Sequence, residues 1–417
     1  MKNILYVLHS GITGGTFLTN KDLMKNICND FNIFLLNSEN DFLNLFKYVN
    51  HELVLLKKYP RHIKYNCDNI DFNKDYKWSA KEFHNSWLTY IYFDILTTQK
   101  IDIVHIRHLI NHSFDLPQIS KKLNIPVVLS IHDFYFICPF YTLLDENNHY
   151  CAGKCSDNNI SCYSPLNSLN DINSKEIISQ WRHNVLDMFS FVDIFITTSN
   201  FVKDLFLSVY DNGVINKNNF KVIEHGRDFP KFNKTFFEYP SKNNPIKILC
   251  PANHLNIMKG SELIKSIKNE DVDNLIEFHF LGNCHDSVEN YGVDHGTFDR
   301  DEFYKEIDKI KPSFIGIFSI WPETFCHTIT EAWSCGIPVI GSNIGVIQDR
   351  ILKNSGGWVI DINDSKRTYK KILDIAYGNN NEKDDSYETV LSNINNLKFK
   401  STKEMSDEYK VIYDFLL

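Results

Sequence analysis

The sequence predicts an α/β protein of two Rossmann-like domains facing a central cleft. Three observations predict it. Short apolar runs alternate with longer amphipathic segments, the pattern of parallel sheets covered by helices. The alternation stops in 229–245, a stretch rich in Pro, Lys and Asn without periodicity, and then restarts. Each polar motif of interest falls at the end of an apolar run, where such sheets bind ligands. At 417 residues the chain has room for two or three domains.

In order, residues 3–8 read as a buried first strand, followed by Gly14-Gly15-Thr16 and a helix ending near residue 30. Further strands are expected at 32–36, 103–106, 127–131, 194–197 and 221–224. A helix over 80–98 carries Trp87, Tyr90, Tyr92 and Phe93, read as core packing. Beyond the linker, strands at 247–251, 277–281, 314–318 and 339–341 alternate with helices at 260–268, 301–310 and 327–335. Residues 378–386 form a polar, charged loop. The last helix, 403–417, carries Met405, Tyr409, Ile412, Tyr413 and Leu416 at helical spacing.

Composition narrows the function. The net charge is −8 with no long basic run, which argues against a nucleic-acid partner. No run reaches the ~20 apolar residues that span a bilayer. The N-terminal apolar run is too short for a signal peptide and lacks a cleavage site. The ten cysteines lack a secreted disulfide spacing over most of the chain, so a reducing cytoplasm is the expected setting.

The sharpest chemical signal runs from Pro322-Glu323-Thr324-Phe325-Cys326-His327-Thr328 to Glu331, with Gly336-Ile337-Pro338 behind it. Glu323 precedes a helix and Glu331 lies one turn inside it. Between them the helix start offers backbone N–H groups and a positive dipole end, an anion cradle. Carboxylates accepting from sugar and ribose hydroxyls on either side of a phosphate cradle describe a nucleotide-sugar site. Alone, Glu323 reads equally as part of a helix cap and Glu331 as a solvated face residue. Other strand ends add weaker signals. Gly14-Gly15-Thr16 allows close backbone approach to a ligand, or is a tight turn. His132 is a polar donor, or a satisfied structural histidine. Arg227 suits a phosphate, or holds Asp228. Lys259 suits a diphosphate, or is a loop lysine. Gly282, Asn283, Gly296 and Thr297 end two more runs.

Taken together, these residues resemble the retaining family-4 glycosyltransferases (glycosyl transferases group 1) of the GT-B fold. The resemblance rests on Lys259-Gly260, Gly282, Gly296, Pro322 to Ala332 and Gly336 to Ile340. In the first half it rests on Gly14-Gly15-Thr16, His132-Asp133-Phe134 with Cys138-Pro139, Thr198-Ser199 and His225-Gly226. It implies an acceptor-side domain at 1–229 with a Cys-bearing insert at 138–165, and a linker at 230–245. It implies a nucleotide-sugar donor domain at 246–398 and a final helix, 399–417, crossing back to the first domain.

By the same resemblance, Glu331 would accept from ribose hydroxyls and Glu323 from the donor sugar. Backbone N–H groups of Phe325, Cys326, His327 and Thr328 would surround sugar and β-phosphate, and Lys259 would neutralise the leaving diphosphate. His132 would contact the sugar from the other domain. Gly15 and Thr16 would keep the first loop near the phosphates. Gly282 and Thr297 would line the nucleotide. His132, Glu323 and Lys259 are the catalytic candidates. Relatives usually carry an arginine five or six residues before the lysine; here those positions are His254 and Asn253, and Arg227 is the candidate replacement. Phe325-Cys326 also stands where Phe-Gly is common, which narrows the sugar pocket.

The implied activity is metal-independent, retaining transfer of a hexose-type sugar from a nucleotide-diphosphate sugar to a glycan or lipid-linked acceptor. The setting is bacterial surface polysaccharide synthesis, in the cytoplasm or peripherally at the inner membrane face. No cofactor is required. A GT-B nucleotide-sugar epimerase and a non-catalytic sugar-binding relative are the alternatives. Cys138, Cys151, Cys155 and Cys162 cluster in the insert, either as a structural zinc site or as free thiols.

Overall fold

The computed structural model describes residues 1–9, 14–39, 41–61, 83–155, 177–211, 213–230, 240–241, 244–284, 286–378 and 386–417. Most of the expected linker, most of the loop at 378–386, the start of the helix at 80–98, and Cys162 lie outside them. The chain divides into two compact units. The first comprises Met1–Glu146, Cys151–Arg227 and Lys400–Leu417; the second comprises Asn147–Tyr150 and Asp228–Phe399.

The first unit opens with β1 (Lys2–Leu8), α1 (Gly15–Ile27) and β2 (Phe31–Glu39), then a hairpin of β3 (Phe42–Val49) and β4 (Glu52–Pro60). It continues with α2 (Ser86–Thr98), β5 (Ile103–Ile106), α3 (Asp115–Lys122), β6 (Val127–Ser130), α4 (Ile177–Phe189), β7 (Ile194–Thr197), α5 (Asn200–Val209) and β8 (Phe220–Val222). The sheet order is β4-β3-β2-β1-β5-β6-β7-β8. From β2 through β8 neighbours pair in parallel, with Ile4 opposite Ile33 on one side and Ile103 on the other. Strands β5, β6 and β7 are buried along their whole length, so they read as apolar runs without alternation.

The β3–β4 hairpin is antiparallel and was not expected from sequence. Its last strand carries Val54, Leu55, Leu56, Lys57 and Lys58, all exposed, so it lacks the buried signature of the central strands.

The second unit contains β9 (Ile246–Leu255), a 3-10 turn (Ile257–Lys259), α6 (Ser261–Glu270), β10 (Ile276–Cys284), β11 (Val293–Asp294), α7 (Phe303–Ile310) and β12 (Phe314–Ile317). There follow α8 (His327–Ser334), β13 (Val339–Ser342), α9 (Gly345–Asn354), β14 (Gly357–Ile360), α10 (Ser365–Ala376) and α11 (Tyr387–Asn395). Its sheet is parallel throughout, in the order β11-β10-β9-β12-β13-β14. One core joins Ile248, Phe278, Phe314, Ile329, Trp333 and Ile340 across sheet and helices.

The chain ends in α12 (Thr402–Leu416), which belongs to the first unit. A capping box between Ser401 and Glu404 starts it. Met405, Tyr409 and Tyr413 enter the core beside Ile4, Tyr6 and Met24, and Ile412 and Leu416 flank it. Asn26 of α1 donates to Thr402 at 3.1 Å. No helix among the described residues is long and apolar enough to cross a membrane.

Candidate functional site

At the C-terminal end of the second sheet, local backbone geometry brings Lys259 to Glu323. Lys259 closes the 3-10 turn after β9, and its N–H donates to the Asn256 side chain at 3.2 Å. Gly260 follows at φ 87 and starts α6. A Cβ there would stand 2.1 Å from the Phe318 carbonyl oxygen, so this turn presses on the end of β12 as only glycine can.

Glu323 is reached through a strained loop. It takes φ 43 and Cys326 takes φ 61, both left-handed and both non-glycine. The loop is held from behind by Arg350 of α9. That guanidinium donates to the carbonyls of Phe325 and Cys326, each at 2.8 Å, and to Thr330 Oγ1 at 2.7 Å. It also stacks 4.2 Å from the Phe325 ring. The position where relatives favour glycine is thus one that demands a left-handed residue. Cys326 accepts that conformation, and its thiol hydrogen-bonds Glu323.

The Lys259 ammonium meets Glu323 Oε1 at 2.5 Å, and Ser319 donates to the same oxygen at 2.8 Å. Trp321 lies beside them, its ring 5.4 Å from Lys259 Nζ. Burial alone would push the Glu323 carboxyl up. The Lys259 charge, with hydrogen bonds from Lys259, Ser319 and Cys326, outweighs it and holds the carboxyl below its ordinary range. Burial alone would likewise lower Lys259, and the Glu323 carboxylate outweighs that and holds the ammonium above its usual value. Both groups therefore stay charged at neutral pH. Helix α8 begins at His327 without a side-chain cap and without an acidic residue in its first turn. Glu331, one turn in, is buried on the same helix. A cation, a buried carboxylate and an uncapped helix start at the C-terminal end of one sheet can receive an anion next to hydroxyls.

The remaining candidates fall as follows. Gly282 and Gly296 come together, the Gly282 N–H donating to the Gly296 carbonyl at 2.7 Å, with the exposed Thr297 next in line. Asn253 lies within β9. Arg227 is the last residue of that stretch of the first unit, and its N–H donates to the Lys400 carbonyl at 2.9 Å. Gly14 (φ 86) caps α1, and a Cβ at Gly14 or Gly15 would meet nothing within 4 Å among the described residues. Thr16 sits in its first turn. His132 follows β6, and its ring stacks on His225 with centroids 5.7 Å apart and planes 6° off parallel.

Cys138, Cys151 and Cys155 form no disulfide. Arg182 of α4 donates to Cys155 Sγ at 3.5 Å and to the Gly153 carbonyl at 2.7 Å. Among the described residues no three His, Cys, Asp or Glu side chains are grouped to hold a metal ion.

Sequence reasoning missed Ser319, Trp321 and Arg350. Only Trp321 had a local signal, as an aromatic two residues before the first glutamate. Arg350 acts from a separate helix, and nothing in spacing ties it to Cys326.

Residues 297–388 match the family profile of glycosyl transferases group 1. No curated protein matches the chain. Solved structures do, over its whole length. HepE from Anabaena, in complex with UDP, aligns with TM-score 0.61 at 14% identity over 100% of each chain. Sucrose-phosphate synthase from Thermosynechococcus elongatus aligns with TM-score 0.62 at 12% identity, over 100% of this chain and 99% of that one. The catalytic domain of starch synthase IV from Arabidopsis thaliana, bound to ADP and acarbose, aligns with TM-score 0.61 at 13% identity over 100% and 99%. The fold is therefore the GT-B fold with two Rossmann-like sheets, and residues 297–388 of the second unit match the glycosyl transferases group 1 profile.

Proposed function

We propose that the chain is a retaining glycosyltransferase that moves a hexose-type sugar from a nucleotide-diphosphate sugar to a glycan or lipid-linked acceptor. One observation carries the reading: Lys259, Glu323 and the uncapped start of α8 meet at the C-terminal end of the second sheet, with Lys259 Nζ 2.5 Å from Glu323 Oε1.

In this reading the donor diphosphate takes the Lys259 ammonium and the N–H groups of His327 and Thr328. Glu323 turns to the sugar hydroxyls and Glu331 to the ribose. The bond from the anomeric carbon to the diphosphate oxygen breaks, and charge gathers on the leaving diphosphate. Lys259 and the α8 dipole stabilise that charge. The acceptor oxygen bonds the same face of the anomeric carbon, and its proton passes to the leaving diphosphate. No protein base and no metal enters the scheme. His132 and Gly15, in the first unit, keep the sugar and phosphate roles that the resemblance gives them. Surface polysaccharide synthesis at the cytoplasmic membrane face is the proposed setting. The UDP and ADP bound by HepE and starch synthase IV support a nucleoside diphosphate as the leaving group.

A thermal-shift screen against nucleotide sugars and free nucleotides tests this, since a bound donor raises the apparent stability. A donor should stabilise the chain and be hydrolysed slowly or transferred. If no nucleotide sugar shifts the transition, and Glu323→Ala with Glu331→Ala behaves as wild type in every assay, the reading fails. Turnover of a nucleotide sugar to its epimer without acceptor would favour an epimerase instead. Unchanged donor affinity and rate in Arg227→Ala would remove Arg227 from the diphosphate site. Elemental analysis of the purified chain decides between a structural zinc and free thiols at Cys138, Cys151, Cys155 and Cys162.

A further inference from the structure

The C-terminal end of the first sheet buries a charge that the proposed chemistry does not use. Arg107 directly follows β5 and is 1% exposed. Its guanidinium donates to the hydroxyls of Ser130 at 3.3 Å and Tyr409 at 3.2 Å, and stands 5.5 Å from the Tyr409 ring. Its Nε has no hydrogen-bond partner, and among the described residues no carboxylate pairs with it. A buried cation held by neutral oxygens alone is costly, so its field is available to whatever lies nearby.

What lies nearby is a set of imidazoles. His105 Nε2 shares the Ser130 hydroxyl at 2.7 Å, and its Nδ1 meets the Tyr413 hydroxyl at 2.6 Å. His132 stands two residues beyond Ser130, stacked on His225. The charged and titratable groups facing it are Arg107, His105 and His108 from β5 and the turn after it, and His225 from the segment after β8. Asp133, the neighbouring carboxylate, is taken by His108 at 2.9 Å. Burial first, and then these surrounding groups, hold His132 well below the ordinary imidazole range.

We propose that Arg107 is a positioning residue for His132: through Ser130 it fixes the end of β6, and its charge favours the neutral His132 ring stacked on His225. A neutral imidazole donates from one nitrogen and accepts at the other, whereas an imidazolium only donates. The inference rests on the reading that His132 meets the donor sugar. Helix α12 reaches the network through the Tyr409 hydroxyl, which accepts from Arg107 and carries no charge.

Histidine-ring NMR on the intact protein tests this, with His132→Gln used to assign the signal. In wild type the His132 ring should keep its neutral shifts from pH 8 down to pH 5, the low end of the ordinary histidine range. Arg107→Met should move its titration upward by at least ~1 unit, a ~tenfold gain in protonation at fixed pH. Arg107→Lys keeps a cation there and should restore the wild-type curve. A wild-type His132 that titrates at the ordinary value of 6.5 would overturn the proposal, as would an Arg107→Met curve equal to wild type. The wild-type curve needs no variant to fold. Tyr409→Phe, which removes a hydroxyl and no charge, gives a second check and should leave the titration in place. The acid limb of kcat/KM should follow the NMR curve in Arg107→Met. If the NMR shift appears and the acid limb stays put, it is the sugar contact of His132 that fails.

Discussion

At the end of the second sheet a lysine and a glutamate face each other at 2.5 Å; at the end of the first, an arginine is surrounded by hydroxyls and imidazoles. The second unit neutralises a buried charge by pairing it, and the first sets its charge beside His105 and His132, both held below the ordinary imidazole range. A paired site can exchange partners, because an arriving diphosphate takes the lysine and leaves the carboxylate for sugar hydroxyls. A site of neutral imidazoles offers fixed donors and acceptors, and it changes character only when a proton enters. The two ends should therefore respond differently to mutation and to pH.

The largest effect should come from breaking the pair. Lys259→Met removes the cation that meets the leaving diphosphate and should cut transfer by ~100-fold or more, in the range seen when one charge-stabilising donor is lost. It also strands a buried carboxylate. Removing one partner of a fully buried pair costs ~3–5 kcal/mol. The Lys259 side chain is 33% exposed, so solvent trims this to ~2–3 kcal/mol. The double variant Lys259→Met/Glu323→Gln should regain most of that stability and none of the activity. Denaturant unfolding beside a transfer assay separates the two. Equal stability of single and double variants would mean that the pair is not coupled in the folded chain.

The next effect is pH-dependent. Glu323 is held below its ordinary value of 4.5, so its share of stability is complete above that value and drains away as pH falls through the folded one. Lys259 is held above 10.5, so its share is complete below that value and is lost as pH rises further. The pair should stabilise the fold evenly between the two limits. When a diphosphate draws Lys259 away, the largest force holding Glu323 down is lost, and burial, opposed only by its remaining hydrogen bonds, raises it. Donor binding near pH 5 to 6 should therefore take up a fraction of a proton. Calorimetry in buffers of different ionisation heat reads this directly, and zero uptake would mean that Lys259 stays on Glu323 when the donor binds.

Much of the second unit was legible because its signals are local. Lys259-Gly260 and Glu323 through Glu331 are contiguous motifs at strand ends, and the apolar runs at 314–318 and 339–341 fall within a residue of β12 and β13. The left-handed backbone at Cys326 was foreshadowed by the glycine that relatives favour there. The first unit was less legible. Its β3–β4 hairpin is antiparallel, and its outer strand β4 is exposed, so β4 carries neither the run nor the alternation of a buried strand. The Arg107 network joins β1, β5, β6 and α12 across hundreds of residues, and no spacing rule connects Tyr6 to Tyr413, although their hydroxyls meet at 2.9 Å.

Arg350 tests whether the paired site depends on its support from behind. Arg350→Met leaves the carbonyls of Phe325 and Cys326 without this donor and removes the contact to Thr330. A loss of ~1–3 kcal/mol is expected for bonds to a charged group. KM for the donor should rise more than kcat falls, because the loop before α8 binds the sugar and diphosphate. The reverse split would put Arg350 in the chemical step.

The smallest effect should come from Cys326→Gly, and it sharpens the comparison most. Glycine reaches φ 61 without the strain that a side chain carries there, a gain of up to ~1 kcal/mol. The substitution also deletes a buried thiol that packs in the core and hydrogen-bonds Glu323. These terms oppose each other, so the net change in stability should lie within ~1 kcal/mol of zero. Donor preference is the more sensitive readout, since removing the thiol opens space beside the sugar-facing carboxylate. The variant should accept bulkier nucleotide sugars, while its NMR titration at His132 stays that of wild type. A shift of the His132 curve in Cys326→Gly would mean that the two ends of the molecule do not manage their charges independently.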